Sequence, residues 1–131
     1  MICRRVRKTK KLVLEDEGLT QKIYKAVFSM IPGVEFYFSK NDDEFYKILN
    51  KYSFDLFLID IALKVGKNGS QVINELRLTA KYKSTPIIVV TACALTKDEH
   101  LAFEAGVDIF LRKPVDRLKL TLVIKHALSI V

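Results

Sequence analysis

Residues 56–59 of this 131-residue chain read Leu56-Phe57-Leu58-Ile59, four bulky apolar side chains in a row, and the run stops on a carboxylate at Asp60. A strand with one wet face alternates apolar with polar residues. A run that does not alternate fits a strand buried on both faces, as in a parallel sheet covered by helices. Sheets of that kind bind ligands just beyond the carboxyl ends of their strands. Taken alone, Asp60 fits either a reactive carboxylate held at that edge or an acid that ends a strand and starts a turn. The choice depends on whether other strand ends bring partners to it.

The rest of the chain supplies such ends. Lys11-Leu12-Val13-Leu14 predicts a first strand, and it ends on Glu15-Asp16-Glu17. Gly18 permits a turn, Leu19, Ile23, Ala26, Val27 and Met30 recur at helical spacing, and Pro32-Gly33 stops the helix. Val34 to Phe38 has high β-propensity. Residues 39–43 give a turn and an N-cap for a helix from Asp42 to Tyr52, with Phe45, Ile48 and Leu49 as its stripe. After Asp60, Gly66, Asn68 and Gly69 predict a flexible loop, and a helix follows over 70–82 with Val72, Ile73, Leu76 and Leu78 apolar. Thr85-Pro86 opens a strand, Ile87 to Val90, that ends on Thr91. Thr96 to Ala105 reads as a helix with Leu101, Ala102 and Ala105 facing inward, closed by Gly106. Val107 to Leu111 is the last strand; it carries Phe110 and is followed by Lys113-Pro114. Asp116 is placed to cap a final helix in which Leu118, Leu120, Leu122, Val123, Ile124, Ala127 and Leu128 are apolar. Five strands alternating with five helices predict an α/β protein with a parallel sheet and helices on both faces.

Composition removes several alternatives. With 50% hydrophobic and 28% charged residues the chain has the balance of a globular domain, and its length suits one core. It holds no apolar run of about 18 residues, so no membrane span is expected, and its start lacks the apolar stretch of a signal peptide. Cys3 and Cys93 have no metal-like spacing; Cys93 reads as a buried free thiol, and the compartment as reducing, hence cytoplasmic. The net charge of +7 is misleading: Arg4, Arg5, Arg7, Lys8, Lys10 and Lys11 supply six charges, and 22 Lys and Arg less these six leaves 16 against 15 Asp and Glu. Residues 1–10 therefore read as a basic arm on a nearly neutral domain, 11–131. The arm is taken as a solvated tail, although contact with nucleic acid or an anionic surface is the other reading. His100 and His126 have no metal-like spacing and read as ordinary helix residues.

In a parallel sheet, Glu15/Asp16, Asp60, Thr91 and Lys113 share one edge. Three neighbouring carboxylates repel one another unless a cation intervenes. A hard divalent ion such as Mg²⁺ suits them, since it takes carboxylates, waters and a phosphoryl oxygen. With a hydroxyl and an ammonium nearby, these groups can move a phosphoryl group onto a carboxylate.

On these residues the chain resembles the receiver domain of bacterial response regulators of the CheY type, a flavodoxin-like fold with strand order 2-1-3-4-5. The stretches that carry the resemblance are 12–17, 58–63, 88–92 and 104–114, and it covers 11–131. It implies that Asp60 is the phosphoacceptor, that Glu15 and Asp16 hold Mg²⁺ with Asp60, and that the backbone carbonyl of Ala62 completes the metal site. It further implies that Thr91 is the switch hydroxyl, Lys113 the lysine that bonds the acyl phosphate, Phe110 the aromatic switch, and Lys113-Pro114 a cis peptide bond. The implied function is a phosphorelay module, not an enzyme. It takes its phosphoryl group from a sensor histidine kinase or a histidine phosphotransfer protein, and switches a surface made by the fourth helix, fifth strand and fifth helix, through which it can dimerise. No membrane or nucleic-acid partner is implied for the domain itself. Three departures from the commonest pattern stand out: Gly18 and Lys64 replace prolines, and the 64–70 loop is one residue longer, which places Gly69 late. Ala62 and Cys93 are small at positions that tune dephosphorylation. The Lys113-Pro114-Val115-Asp116 ending resembles receivers attached to hybrid kinases. The alternatives are a receiver-like interaction scaffold that takes no phosphate, and a flavodoxin, for which Glu15-Asp16-Glu17 has the wrong charge.

Overall fold

A computed structural model describes residues 8–92 and 95–129. Cys3, Cys93 and most of the predicted arm lie outside the described residues. Five strands, β1 (Thr9–Leu14), β2 (Val34–Ser39), β3 (Leu56–Ile59), β4 (Ile87–Thr91) and β5 (Ile109–Arg112), form one sheet in the order β2-β1-β3-β4-β5. All four pairings are parallel. Five helices alternate with them: α1 (Gly18–Ser29), α2 (Asp42–Leu49), α3 (Gly69–Leu78), α4 (Thr96–Glu104) and α5 (Arg117–Ser129).

The sheet separates two apolar cores, as expected of strands buried on both faces. Leu12, Leu14, Phe57, Ile59, Ile87 and Val89 face α2, α3 and α4, where they meet Phe45, Val72, Ile73, Leu76 and Ala102. The alternate residues Val13, Leu58, Ile88 and Val90 face α1 and α5, meeting Tyr24, Val27, Phe28, Leu120 and Ile124.

Several expected boundaries and faces differ, each for a local reason. β1 begins two residues earlier than the apolar run, because Thr9 and Lys10 pair with Val34 and Glu35. α2 stops at Leu49, which frees Tyr52 to stack on Tyr37 with ring centroids 4.8 Å apart. α3 stops at Leu78; Thr79 is extended, and a 3-10 turn over Ala80–Tyr82 carries the Tyr82 ring edge-on to Phe57 at 5.0 Å. β5 begins at Ile109, not Val107, although Val107 is buried. α1 turns Thr20, Tyr24, Val27 and Phe28 inward, so Leu19 and Met30 point to solvent. Leu78, Leu101, Leu118 and Leu122 are likewise exposed, contrary to the apolar stripes read from sequence. Among the described residues, no helix is long and apolar enough to cross a membrane.

Candidate functional site

The last residues of β1 and β3, Leu14 and Ile59, are in register, so the residues that follow leave the sheet side by side. The strand order reverses here, which opens a crevice at the carboxyl edge. Main-chain bonds fix both exits: Asp60 N–H donates to Leu14 O at 2.9 Å, and Glu15 N–H to Ser39 O at 2.9 Å. One carboxylate oxygen from each of Glu15, Asp16 and Asp60 then lies within 4.8 Å of the others.

Lys113 reaches the same crevice from β5. Its N–H donates to Thr91 O at 3.0 Å, and its peptide bond to Pro114 is cis, as the family resemblance implied. Its ammonium lies 2.9 Å from Glu15 Oε1, 3.0 Å from Glu15 Oε2 and 3.0 Å from Asp60 Oδ2. The second Asp60 oxygen, Oδ1, accepts from Ala62 N–H at 2.8 Å. Thr91 is fully buried at the end of β4. Phe110 is half-buried on β5, its ring centroid 6.5 Å from that of Phe103 on α4.

Burial dominates the electrostatics. It pushes the Glu15 carboxyl up to about 7; the Lys113 ammonium pulls it back, and the Asp60 charge adds to the rise. Burial also works against the Lys113 ammonium, but its bonds to Glu15 and Asp60 outweigh that and hold it above the ordinary lysine value. The Lys113 ammonium sits almost equally close to both Glu15 oxygens, so it serves the whole carboxylate. Three carboxylates that each bring an oxygen within 4.8 Å of the others form an all-oxygen donor set, which fits a hard divalent cation such as Mg²⁺.

Three supports of this crevice were not read from the sequence. Lys64 N–H donates to Asp16 Oδ2 at 3.1 Å, and Gln21 Nε2 donates to Glu15 O at 2.6 Å. Gly69 is buried at the start of α3, where a Cβ would sit 2.2 Å from Asp60 O. No sequence pattern announces a main-chain donor such as Lys64 N–H. The Gly69 contact had a signal, a glycine just ahead of the predicted helix, but the sequence reading assigned it to a flexible loop.

The fold and the crevice define a doubly wound α/β protein with a lysine-bridged acidic cluster at its switch point. The chain belongs to the response regulator receiver domain family, whose description matches residues 12–125. It is 30% identical over 118 residues to the aerobic respiration control protein ArcA of Escherichia coli, covering 90% of this chain and 48% of that protein. The chain thus spans about half the length of the curated relatives it matches first. A CheY-like response regulator receiver domain protein from Methanospirillum hungatei superposes with a TM-score of 0.82 at 22% identity, over 92% of this chain and 94% of that one. The receiver domain of a sensor histidine kinase from Pseudomonas aeruginosa, solved with a magnesium ion coordinated in its active site cleft, gives 0.79 at 24% identity, over 92% and 98%. These two likenesses extend the agreement in fold.

Proposed function

We propose that Asp60 is the phosphoacceptor of a two-component phosphorelay, receiving a phosphoryl group from a phosphohistidine on a sensor histidine kinase or a histidine phosphotransfer protein. The observation that carries this reading is the state of the Asp60 carboxylate. It is buried among other carboxylates, held at Oδ1 by an amide and at Oδ2 by an ammonium. A strand-ending acid has no need of such neighbours; a fixed nucleophile does.

Glu15, Asp16, Asp60 and the Ala62 backbone carbonyl would hold Mg²⁺, which supplies positive charge against the phosphoryl oxygens. In the transfer, an Asp60 oxygen forms the new O–P bond as the N–P bond of the phosphohistidine breaks. The imidazole nitrogen keeps that electron pair, and the ring takes a proton from solvent. Lys113 then turns from a counter-ion of two carboxylates into a donor to the acyl phosphate. Thr91 donates its hydroxyl to a second phosphoryl oxygen. That movement gives Phe110 room to turn inward and shifts the surface of α4, β5 and α5 between two states. Leu95, Leu101 and Phe103 are exposed there, and they suit that surface to dimerisation or an effector. On this reading the chain is a signalling module, residues 11–131, preceded by a basic arm, residues 1–10.

Intact mass after incubation with acetyl phosphate and Mg²⁺ tests the proposal. The expected result is one added phosphoryl group, absent without Mg²⁺ and absent in Asp60→Asn. Equal labelling of Asp60→Asn removes Asp60 from the role. No labelling together with no beryllofluoride binding replaces the relay with a phosphate-independent scaffold.

A further inference from the structure

We infer that Lys64 is a positioning residue for the crevice, acting through its main-chain N–H on Asp16 and so setting how firmly the acidic cluster holds a divalent cation. The inference rests on the functional reading above, since it concerns the same carboxylates.

The three acids are not held alike. Lys113 spans Glu15 and Asp60. Asp16 is held instead from across the crevice, where Lys64 N–H donates to its Oδ2 at 3.1 Å, joining residues 48 apart in sequence. The lysine side chain is exposed, so the backbone does the holding. This bond ties the turn after β1 to the loop between β3 and α3.

The loop brings that N–H into place because it is pinned on either side. Before Lys64, Ala62 N–H is fixed on Asp60 Oδ1 at 2.8 Å. After it, Gly66 has φ +77°, a left-handed conformation that favours glycine, and passes beside the Asp42 carboxylate at the start of α2. Gly69 then lands on the Asp60 carbonyl, where any side chain collides with backbone. With Gly66 favoured by its positive φ and Gly69 required by close approach to backbone, the intervening chain has little freedom and the Lys64 amide faces Asp16.

A carboxylate has about four acceptor sites, so one N–H leaves Asp16 able to bind a cation while fixing its rotation. Hydrogen bonds that orient metal-binding carboxylates typically change affinity about 10–100-fold when lost. Proline, which the commoner pattern carries at this place, has no N–H and cannot make the bond.

The test is ¹⁵N NMR of the full 131-residue chain, with and without Mg²⁺. In the metal-free protein the Lys64 amide is expected to be protected from exchange and shifted downfield, and to lose both properties in Asp16→Ala. A freely exchanging Lys64 amide in the metal-free wild type overturns the inference without any variant. Titration with Mg²⁺ is expected to show Lys64→Pro binding about tenfold more weakly than wild type, with Lys64→Ala, which keeps the N–H, unchanged. Equal affinity of Lys64→Pro and wild type overturns it; so does weakening by Lys64→Ala as large as by Lys64→Pro, which would assign the effect to the side chain. Should Lys64→Pro disturb resonances beyond the loop, the amide result on the wild type decides alone. A wild type that takes no Mg²⁺ overturns the functional reading and the cation half of this inference together, while a protected amide would then identify the bond as structural.

Discussion

Lys11 has no exposed surface, yet it sits in the middle of β1 on the core face shared by Val13, with its ammonium donating to Thr9 Oγ1 at 2.7 Å. Burial holds its pKa down to about 8, against a smaller pull upward from Asp55. The unfolded chain therefore binds more protons than the folded one between about pH 8 and the ordinary lysine value of 10.5, so this group's contribution to stability rises with pH across that window. Below about pH 8 its cost is fully present. Lys11→Met is expected to stabilise the protein by about 1–3 kcal/mol at pH 7, and the gain should shrink toward pH 10; urea unfolding at both pH values measures it. Lys113 has the opposite character. Lys113→Met leaves Glu15 and Asp60 buried without their cation, at a cost of about 3 kcal/mol at pH 8. Because the Glu15 carboxyl titrates near 7, its proton removes one of those charges at pH 5, and the deficit of the variant should be smaller there. Unfolding of the variant at the two pH values, with wild type alongside, checks the sign.

The elements that frame the crevice are joined by short-range devices of different strength. α3 starts with a reciprocal cap, Asn68 Oδ1 accepting from Gln71 N–H at 3.0 Å and Gln71 Oε1 from Asn68 N–H at 3.1 Å. Asn68→Ala should cost about 1 kcal/mol in thermal unfolding and leave phosphoryl acceptance intact, since the cap is exposed. Gly69→Ala should cost more, about 2–4 kcal/mol, and should lower acceptance as well, because the new Cβ pushes on the Asp60 carbonyl. Equal effects of the two variants on acceptance would show that the close approach does not position Asp60. The same segment shows what the sequence disclosed. The strand ends were legible because unbroken apolar runs stop abruptly at Asp60, Thr91 and Glu15, and parallel strands leave no choice about the shared edge. The helix faces were less legible: Thr20 and Tyr24 face inward on α1 while Leu19 does not. A hydrophobicity pattern assigns the apolar residue to the core, whereas the angle of approach to the sheet selects the actual face. Main-chain contacts such as Lys64 N–H on Asp16 were invisible for a plainer reason: every residue but proline carries the same donor.

At the scale of the whole molecule, the edge opposite Asp60 is closed by one side chain. Arg77, at the end of α3, donates from Nε and Nη2 to Gly106 O at 2.9 and 2.7 Å, and from Nη1 to Tyr82 O and Thr85 O at 2.9 and 2.7 Å. Its Nη2 also meets Asp108 Oδ2 at 3.0 Å, an oxygen that accepts Ile87 N–H at 2.9 Å. One guanidinium thus ties α3 to the segment entering β4 and to the turn between α4 and β5, where Asp108 N–H also donates to Ile87 O at 3.0 Å. Its planar fork satisfies carbonyls that a single ammonium cannot reach together. Arg77→Lys is therefore expected to cost about 2–4 kcal/mol in urea unfolding. Asp108→Ala should cost about 1–2 kcal/mol, because the carbonyl bonds survive and Ile87 N–H is left unpaired. In the double variant the losses should fall short of additive, since the Arg77–Asp108 contact can be lost only once. The crevice lies at the other end of the strands, so Mg²⁺ affinity of folded Arg77→Lys should match wild type. A weakened affinity would mean that the clamp is coupled through β4 and β5 to Thr91 and Lys113, making the two edges of the sheet one cooperative unit.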